Sequence, residues 1–354
     1  MDFGLSSDQV ALKDSVDRYL HTRVGLEQIR LFAGEGDYRE IWRGLIDIGL
    51  TSLLVPETQG GIGLSLIDAA VVSEILGKHV TPSPFIGSAV IAPLALQHID
   101  AAIATKYLSK LISGTITAGI AFSELAGRRG DAGVEATGNK LTGKSLFVLD
   151  PLAELLFVAT TDRSLYLVQE DAPGLQRLVH TTIDRTRISG ELRFNNTTAV
   201  PLTEDPHIVA RLLDAARIML VADTLGAAQH MLDAAVTYAK ERKQFNRVVG
   251  SFQAVKHLCA ELVAELEPCR AMMWYAAYAL DKIPDEARVT ACQAKAHISE
   301  VGTFVARTAT EIHGGIGFTD LLGLHYWFKR IGFNRQSLGA PELLREEAAV
   351  LQGL

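Results

Sequence analysis

The chain has 354 residues, of which 48% are hydrophobic and 21% are charged, and its formal net charge at pH 7 is -7. This length exceeds what one hydrophobic core usually serves, so two or three domains are expected. The acidic balance argues against a general nucleic-acid binder, which would present a basic patch to phosphates. No apolar run reaches the roughly 18 residues of a membrane span, and the first residues lack the pattern of a signal peptide, so neither is expected.

The three cysteines, Cys259, Cys269 and Cys292, lack the spacing of metal ligands and lie within helical patterns. We therefore expect buried free thiols and no metal site. A reducing compartment fits this cysteine usage, so a cytoplasmic location is predicted.

Residues 1–117 are predicted to form an α-helical domain. The stretch Ser6-Ser7-Asp8-Gln9 offers a cap for its first helix, and Pro56 with three nearby glycines forces a loop that cannot be regular helix. The apolar periodicity predicts helices at residues 8–20, 41–48, 67–76, 86–96 and 101–112.

Residues 118–204 form the second predicted domain, which consists of β-strands. Short apolar or alternating runs are separated at close spacing by Gly, Asp and Asn turns, which is typical of a small antiparallel sandwich or barrel. The runs predict strands at residues 116–122, 140–144, 154–159, 165–168 and 191–194.

Residues 205–354 return to helical periodicity and form the third predicted domain. Four helices joined by short connections favour a four-helix bundle. They are predicted at residues 208–240, 252–280, 286–312 and 341–351. The fold class is therefore α+β and multidomain, with a helical, a β and a second helical domain in chain order.

A polar turn between the first two bundle helices brings three chemically distinct side chains together. Arg242 offers a guanidinium fork for phosphate oxygens, Phe245 an aromatic ring, and Gln253 both a donor and an acceptor. This combination predicts half of a nucleotide-binding site. The alternative for Arg242 is a solvated helix end that interacts favourably with the helix dipole.

The third bundle helix ends at a glycine pair, Gly314 and Gly315, which follows His313. Without Cβ atoms the backbone can approach a ligand closely, although a plain helix C-cap explains the same residues. His313 is predicted to be packed rather than catalytic.

Several motifs occur in one order along the whole chain: Leu-Val-Pro-Glu-x-x-Gly-Gly at residues 54–61, Arg242-x-x-Phe245, Gly250-x-Phe252-Gln253, and Ile-His-Gly-Gly-Ile-Gly-Phe at residues 312–318. With these motifs the chain resembles the acyl-CoA dehydrogenase family. The resemblance implies the same order of domains, an FAD cofactor and an acyl-CoA substrate. It also implies removal of an α proton and a β hydride from the acyl chain, with electrons passing to an electron-transfer flavoprotein.

The resemblance also implies which residues contact FAD, and that in the family they reach a cofactor held mainly by the neighbouring subunit. The set carried over is Arg242, Phe245, Gln253, Glu311, Gly314 and Gly315. Two members of the pattern differ: Glu311 stands where the family has glutamine, and Asn246 where it has glycine. A carboxylate beside a pyrophosphate is unfavourable unless it points away, whereas Asn tolerates the left-handed backbone of a turn.

The catalytic glutamate of the family is missing from both of its known places. Counting from the glycine pair places Leu338 at the usual position, and counting back from the arginine motif places Ala216 at the minority position. Neither side chain can accept a proton, so the base is unknown. Asp214 and Glu342 are the nearest carboxylates in sequence, but Asp214 falls on another helix face and Glu342 suits a helix first turn.

The β domain departs from the family pattern in two loops. Residues 123–130 replace a loop that contacts flavin and CoA, and residues 147–150 replace one that covers the flavin ring. Leu149 has no hydroxyl for the flavin. Arg128 and Arg129 either meet CoA phosphates or form a solvated basic loop.

The residues that reach a neighbouring subunit's FAD are kept, whereas the catalytic glutamate and the two flavin loops are lost. This pattern predicts a non-catalytic subunit of a hetero-oligomer. It is similar to actinobacterial acyl-CoA dehydrogenases that act on steroid side chains as α2β2 assemblies with half the usual FAD sites. A catalytic partner subunit would supply the glutamate, the flavin-ring contacts and the acyl-CoA pocket. Two alternatives remain open: a homomeric enzyme with an unrecognised base, and a flavin-free scaffold on the same fold.

Overall fold

The computed structural model describes residues 4–99, 101–127 and 129–354. Its first part is helical, as predicted, and α1 begins where the cap was expected: the Gln9 amide donates to Ser6 Oγ at 3.2 Å and the Ser6 amide to Gln9 Oε1 at 3.0 Å. A π-helical turn, Ile86–Ile91, leads into α5. The helices are α1 Ser7–Arg23, α2 Leu26–Glu35, α3 Arg39–Asp47, α4 Leu66–Lys78, α5 Ala92–Leu96 and α6 Ala101–Ile112. Helix α2 was not predicted.

The middle part is one sheet in the strand order β6-β7-β3-β1-β4-β5-β8, with β2 paired to β3. The prediction of a purely antiparallel domain is wrong in one pairing, because β1 and β4 are parallel. The strands are β1 Ala118–Ala121, β2 Gly133–Thr137, β3 Lys140–Leu149, β4 Leu155–Ala159, β5 Leu165–Gln169, β6 Leu175–His180, β7 Ser189–Thr198 and β8 Val200–Thr203, and a short helix α7, Ser123–Ala126, follows β1.

The last part is helical again, and it contains a helix that was not predicted, α11. Its apolar pattern is interrupted by Arg330 and Asn334, which read as surface residues but are fully buried. The elements are α8 Pro206–Glu241, the two-residue strands β9 Lys243–Gln244 and β10 Arg247–Val248, α9 Gln253–Lys282, α10 Pro284–His313, α11 Leu324–Gln336 and α12 Pro341–Leu351.

Helix α8 is the central element, because it packs against α4, α9, α10 and α11. Its crossing with α4 depends on glycine: a Cβ on Gly77 would lie 1.9 Å from Asp223 O, and one on Gly226 would lie 1.7 Å from Glu74 O. One continuous apolar cluster joins the first helices, one face of the sheet and the bundle helices, and a smaller cluster covers the other face. Helix α8 contributes buried residues to this cluster as far as Ala235, shortly before the polar turn begins.

The chain changes from helix to strand between Ile112 and Ala118 and back between Thr203 and Pro206. The division into domains at 1–117, 118–204 and 205–354 remains our proposal. Over residues 4–99, 101–127 and 129–354, no helix is both long and apolar enough to cross a membrane. The thiols of Cys269 and Cys292 are buried and free as expected, whereas Cys259 is half-buried.

Candidate functional site

The turn after α8 is a rigid corner held by backbone hydrogen bonds. The Arg242 amide donates to Tyr238 O at 2.9 Å, and the Val249 amide donates to Arg242 O at 2.7 Å. Gly250 is required where the turn passes the helix, since a Cβ there would lie 2.7 Å from Ala239 O. We call residues 242–253 the arginine corner.

Strands β9 and β10 form a hairpin whose two-residue turn is Phe245 and Asn246. Both have positive φ, 53° and 59°, as a type I′ turn requires. The expectation that Asn246 preserves the turn is confirmed. Phe245 is different, because a bulky side chain is disfavoured at positive φ and its ring is 86% exposed. Neither the positive φ of Phe245 nor the exposure of its ring stabilises the isolated chain.

Replacing Phe245 by Asn should therefore stabilise the free chain while weakening any complex that uses the ring. Asn is favoured in type I′ turns, so we expect an increase of about 1 kcal/mol in the free energy of unfolding, measured by urea denaturation. An Asn246→Phe variant, which places a bulky residue at the neighbouring positive φ, should lose stability instead. A Phe245→Asn variant less stable than the wild type would contradict this account of the turn.

The side chains of the arginine corner divide into engaged and free groups. The Arg247 guanidinium lies 3.8 Å from the centroid of the Phe252 ring, and the Phe245 ring meets that ring edge-on at 6.1 Å. Gln253 Nε2 lies 2.9 Å from His257 Nε2 on the exposed start of α9. By contrast, Arg242 is exposed, and its guanidinium has no hydrogen bond or ion pair among the residues that the structure describes.

The glycine turn lies beside the same end of α8. Helix α10 ends at His313, whose ring packs 4.7 Å from the Tyr238 ring and whose Nδ1 lies 2.7 Å from Ala309 O. His313 is buried and packed, as predicted, and it joins the glycine turn to α8 just before the arginine corner. Gly314 has a φ of 63°, which glycine alone adopts readily, so it serves as the helix cap.

Gly315 has no such backbone requirement. A Cβ on either Gly314 or Gly315 would meet no atom of the described chain within 4 Å. Glu311, one turn earlier, is exposed. The structure thus brings the glycine turn and the arginine corner to one end of the bundle, with open space in front of the glycine backbone.

The two positions where the family has its catalytic glutamate both lie next to one buried arginine, Arg217. Leu338 and Ala216 are 4% and 0% exposed, and Arg217, the residue after Ala216, donates from Nε to Leu338 O at 2.9 Å. The Arg217 guanidinium also pairs with Asp214 at 3.0 Å and with Glu347 at 2.9 Å. The site therefore contains an arginine with its own carboxylates rather than a free base.

The two alternative bases, Asp214 and Glu342, are each paired with an arginine. Burial raises the pKa of Asp214 to about 6 in spite of Arg217, so this carboxylate is held as an ion-pair partner inside α8. Glu342 is exposed and accepts from Arg335 at 2.9 Å, and its pKa lies below the ordinary value because of its own backbone amide and Arg335. Burial acts to raise the pKa of Glu347, but Arg217 and Arg288 more than offset this and hold it low.

The two altered loops of the sheet close on each other. Glu124 accepts from the Ser145 hydroxyl at 2.6 Å and from the Leu146 amide at 2.8 Å, which ties α7 to β3. The Arg129 guanidinium lies 4.8 Å from the centroid of the Phe147 ring. Leu149 is 4% exposed and pairs with Ile120 of β1. Arg128, the other candidate for CoA phosphates, lies outside the described residues.

Comparison with known proteins decides the family. Residues 6–115 match the model described as acyl-CoA dehydrogenase, N-terminal domain, and residues 207–350 match acyl-CoA dehydrogenase, C-terminal domain. Acyl-CoA dehydrogenase IpdE2 of Mycobacterium tuberculosis is 32% identical over 343 residues, which cover 94% of each chain. The chain belongs to the acyl-CoA dehydrogenase family.

Further relatives give the same result. Acyl-CoA dehydrogenase IpdE2 of Mycolicibacterium smegmatis is 30% identical and covers 98% of this chain and 100% of its own length. Among solved structures, the ChsE4-ChsE5 complex from Mycobacterium tuberculosis has a TM-score of 0.90 and 26% identity, with full coverage of both chains. A Tcur3481-Tcur3483 steroid ACAD variant has a TM-score of 0.89 and 28% identity, with 98% coverage of each.

Acyl-CoA dehydrogenases are FAD-dependent oxidoreductases that act on CH–CH bonds, and the residues of this chain fit only half of that cofactor. The Arg242 guanidinium, which has no partner among the described residues, and the open glycine turn suit a pyrophosphate and its adjoining groups. The other half fits poorly, since the Leu149 side chain offers no donor and is buried in the apolar cluster. When bound, FAD supplies the acceptor for the hydride.

A buried polar network behind β3 was not found from the sequence. Arg187 pairs with Asp223 at 2.9 Å, and Asn334 donates to the same carboxylate at 2.6 Å. Arg330 donates to Thr81 O at 2.8 Å. These partners lie more than 30 residues apart in the chain, so spacing gives no sign of them. The one available signal is the presence of Arg217, Arg330 and other polar residues inside apolar runs.

Asp150 lies at the edge of this network and should make stability depend on pH. Burial raises the pKa of its carboxyl to about 7, although Arg187 and Arg330 oppose this. Between about pH 4 and 7 the folded chain therefore binds more protons than the unfolded chain, and stability falls as pH rises through that window. Asp150→Asn should remove this loss and gain on the order of 4 kcal/mol at pH 8, with little change at pH 4, because each pKa unit corresponds to about 1.4 kcal/mol.

Urea denaturation of both proteins from pH 4 to 8 measures this difference. Asn tolerates the φ of 54° at position 150 as Asp does. The substitution therefore removes the titrating carboxyl without adding backbone strain. Parallel stability curves for the two proteins over the whole range would contradict the assignment.

Proposed function

We propose that this chain is the non-catalytic subunit of a heteromeric, FAD-dependent acyl-CoA dehydrogenase. Its arginine corner and glycine turn contact the ADP half of an FAD whose flavin ring is held by a catalytic partner subunit. One observation carries the proposal: the Arg242 guanidinium faces outward without a partner among the described residues, whereas both positions of the missing glutamate are buried beside the ion-paired Arg217.

The outward groups have properties that a neighbouring cofactor would explain. The Arg242 guanidinium has no partner in the part of the chain that the structure describes, although the corner around it is fixed by hydrogen bonds. Phe245 exposes a large ring from a disfavoured backbone conformation. Gly315 lacks a side chain although the described chain leaves room for one. A pyrophosphate on Arg242, a ring contact on Phe245, and close backbone approach at Gly314 and Gly315 account for all three.

Gln253 and Glu311 complete the proposed contacts. Gln253 can both donate to and accept from the nucleotide, with His257 holding its amide. Glu311 is exposed, so its carboxylate can point to solvent or to a donor on the partner rather than to the pyrophosphate. We assign it to the edge of the site for that reason.

The reaction itself is assigned to the partner subunit. A general base is needed to take the α proton of the acyl-CoA, and Leu338 and Ala216 cannot serve. Arg217 at the same place would stabilise a carboxylate rather than prepare it to accept a proton. The partner would therefore supply the glutamate, the flavin-ring contacts and the acyl pocket, and an electron-transfer flavoprotein would accept the electrons.

The relatives support a heteromer and suggest a substrate class. Two of the similar solved structures are named for pairs of chains, ChsE4-ChsE5 and Tcur3481-Tcur3483, and the second is called a steroid ACAD. We accordingly propose an acyl-CoA thioester with a steroid side chain as the substrate of the assembled enzyme.

The chain expressed alone tests the proposal against a homomeric enzyme with an unrecognised base. We expect the purified chain to carry no stoichiometric FAD and to show no flavin bleaching on addition of an acyl-CoA. Stoichiometric flavin that is bleached by an acyl-CoA would establish the homomeric alternative instead.

A further inference from the structure

The arginine corner carries a second guanidinium, Arg247, that none of the contacts proposed above uses. Residues 242–253 contain three cations, Arg242, Lys243 and Arg247, and no carboxylate, although the net charge of the whole chain is -7. Arg247 is exposed, and no hydrogen bond or ion pair engages it within residues 4–99, 101–127 and 129–354. The corner therefore offers an anion more positive charge than Arg242 alone supplies.

The hairpin places Arg247 on the same face as Arg242. Its backbone pairs Arg247 with Gln244, and the Val249 amide, which donates to Arg242 O at 2.7 Å, adds one more pair to this ladder. Because side chains alternate between the two faces of a strand, Arg242 and Arg247 share one face and Lys243 lies on the other. Diagonal neighbours on one face of an antiparallel pair are typically about 7–8 Å apart, so one ligand can meet both arginines.

The Phe252 ring holds the Arg247 guanidinium in position. The centre of the guanidinium lies 3.8 Å from the centroid of this ring, and the Phe245 ring supports Phe252 edge-on at 6.1 Å. An arginine side chain loses rotamer freedom when it binds a ligand, and a side chain that is already stacked on a ring loses less. Contact with a ring face uses the charge of the guanidinium but none of its N–H donors. Those donors therefore remain available to an acceptor.

We infer that Arg247 is a second phosphate-binding residue of the arginine corner and that Phe252 is the residue that positions it. The inference rests on the proposed function, in which the corner contacts the pyrophosphate of FAD. A pyrophosphate that links two nucleoside-like halves carries two negative charges, and one guanidinium balances only one of them. Arg242 and Arg247, which project from one face of the hairpin, supply a guanidinium fork to each phosphate.

Titration of the apo complex of this chain and its catalytic partner with FAD, followed by the change in flavin fluorescence, tests the phosphate contact. Arg247→Ala should weaken FAD binding about tenfold and lower the dependence of the Kd on salt concentration. Lys243→Ala is the matched control, since it removes the same charge from the opposite face of the same hairpin, and it should change the Kd less than about twofold. Arg247→Lys keeps the charge without the fork and should fall between the two.

A double-variant cycle tests the positioning role of Phe252. Phe252→Leu should weaken FAD binding about threefold in the wild-type background and should have no further effect in the Arg247→Ala background, because the ring acts through the guanidinium. Equal weakening in both backgrounds would show that Phe252 acts independently of Arg247 and would overturn this role.

Two results would overturn the phosphate contact and leave the subunit role intact. The first is an unchanged Kd for Arg247→Ala together with a raised Kd for Arg242→Ala. The second is equal weakening by Arg247→Ala and Lys243→Ala, which would assign the effect to the overall charge of the hairpin. If neither Arg242→Ala nor Arg247→Ala changes the Kd, the proposed function itself fails, and this inference fails with it.

Discussion

Arg242→Ala in the complex of this chain with its catalytic partner should lower FAD affinity by roughly 10-fold to 100-fold. A charge-assisted contact between an arginine and a phosphate contributes about 1.5–3 kcal/mol, and each 1.4 kcal/mol is a factor of ten. The Arg242 guanidinium has no partner among the described residues, so its removal should leave the chain's own stability unchanged. FAD retention after dialysis, read from flavin absorbance per complex, measures the effect.

The matched control is Arg18→Ala, which removes another exposed arginine without a described partner, on α1. It should leave the FAD content at the wild-type value. If Arg242→Ala also leaves the FAD content unchanged, the corner does not serve a flavin, and the flavin-free scaffold becomes the better account. If it dissociates the two subunits without free FAD appearing first, the corner is an assembly contact only.

Arg217→Met should destabilise the chain by about 3–5 kcal/mol. The substitution leaves Asp214 without its cation, and removal of one partner from a buried ion pair carries a penalty of that size. It also removes the donor to Leu338 O, which holds the segment before α12 at a φ of 57°. The free energy of unfolding from urea denaturation is the measurement.

Arg345→Met is the control for this effect. Arg345 pairs with Glu300, but the two side chains are 53% and 41% exposed, so the loss should stay within about 1 kcal/mol. Arg217→Lys keeps the charge without the forked geometry and should fall between the two. A loss below about 1 kcal/mol for Arg217→Met would mean that water already screens the network.

Features with a local cause could be predicted from the sequence. The first cap, the helix end at Gly314 and the turn at Asn246 each depend on residues within a few positions, and all three are found as expected. The order of helical, β and helical parts also follows from periodicity, and it agrees with the family.

Features with a distant cause could not be predicted. Arg217 and Glu347 are 130 residues apart, and nothing in either segment specifies the other. The parallel pairing of β1 with β4 depends on the path of the chain between them. Helix α11 was missed because Arg330 and Asn334 face inward, where they meet Asp223 of α8. For Arg217 and for helix α11, a buried polar partner on another element decides the structure.

The roles of the candidate residues also divide into those that nearby residues predict and those that depend on distant residues. The sequence indicates that Leu338 and Ala216 cannot be bases, but only the structure places Arg217 between them. That arrangement makes the loss of the base a feature of the whole neighbourhood rather than of one residue, since the backbone at position 338 accepts from a buried guanidinium that is paired with its own carboxylates.

Co-expression of this chain with its catalytic partner, followed by a count of FAD per chain in the purified complex, tests the subunit role most directly. The account expects about one FAD for every two chains, because each cofactor would use one corner and one flavin-ring site. One FAD for every single chain of the complex, or stoichiometric FAD retained by this chain when it is purified alone, would contradict it.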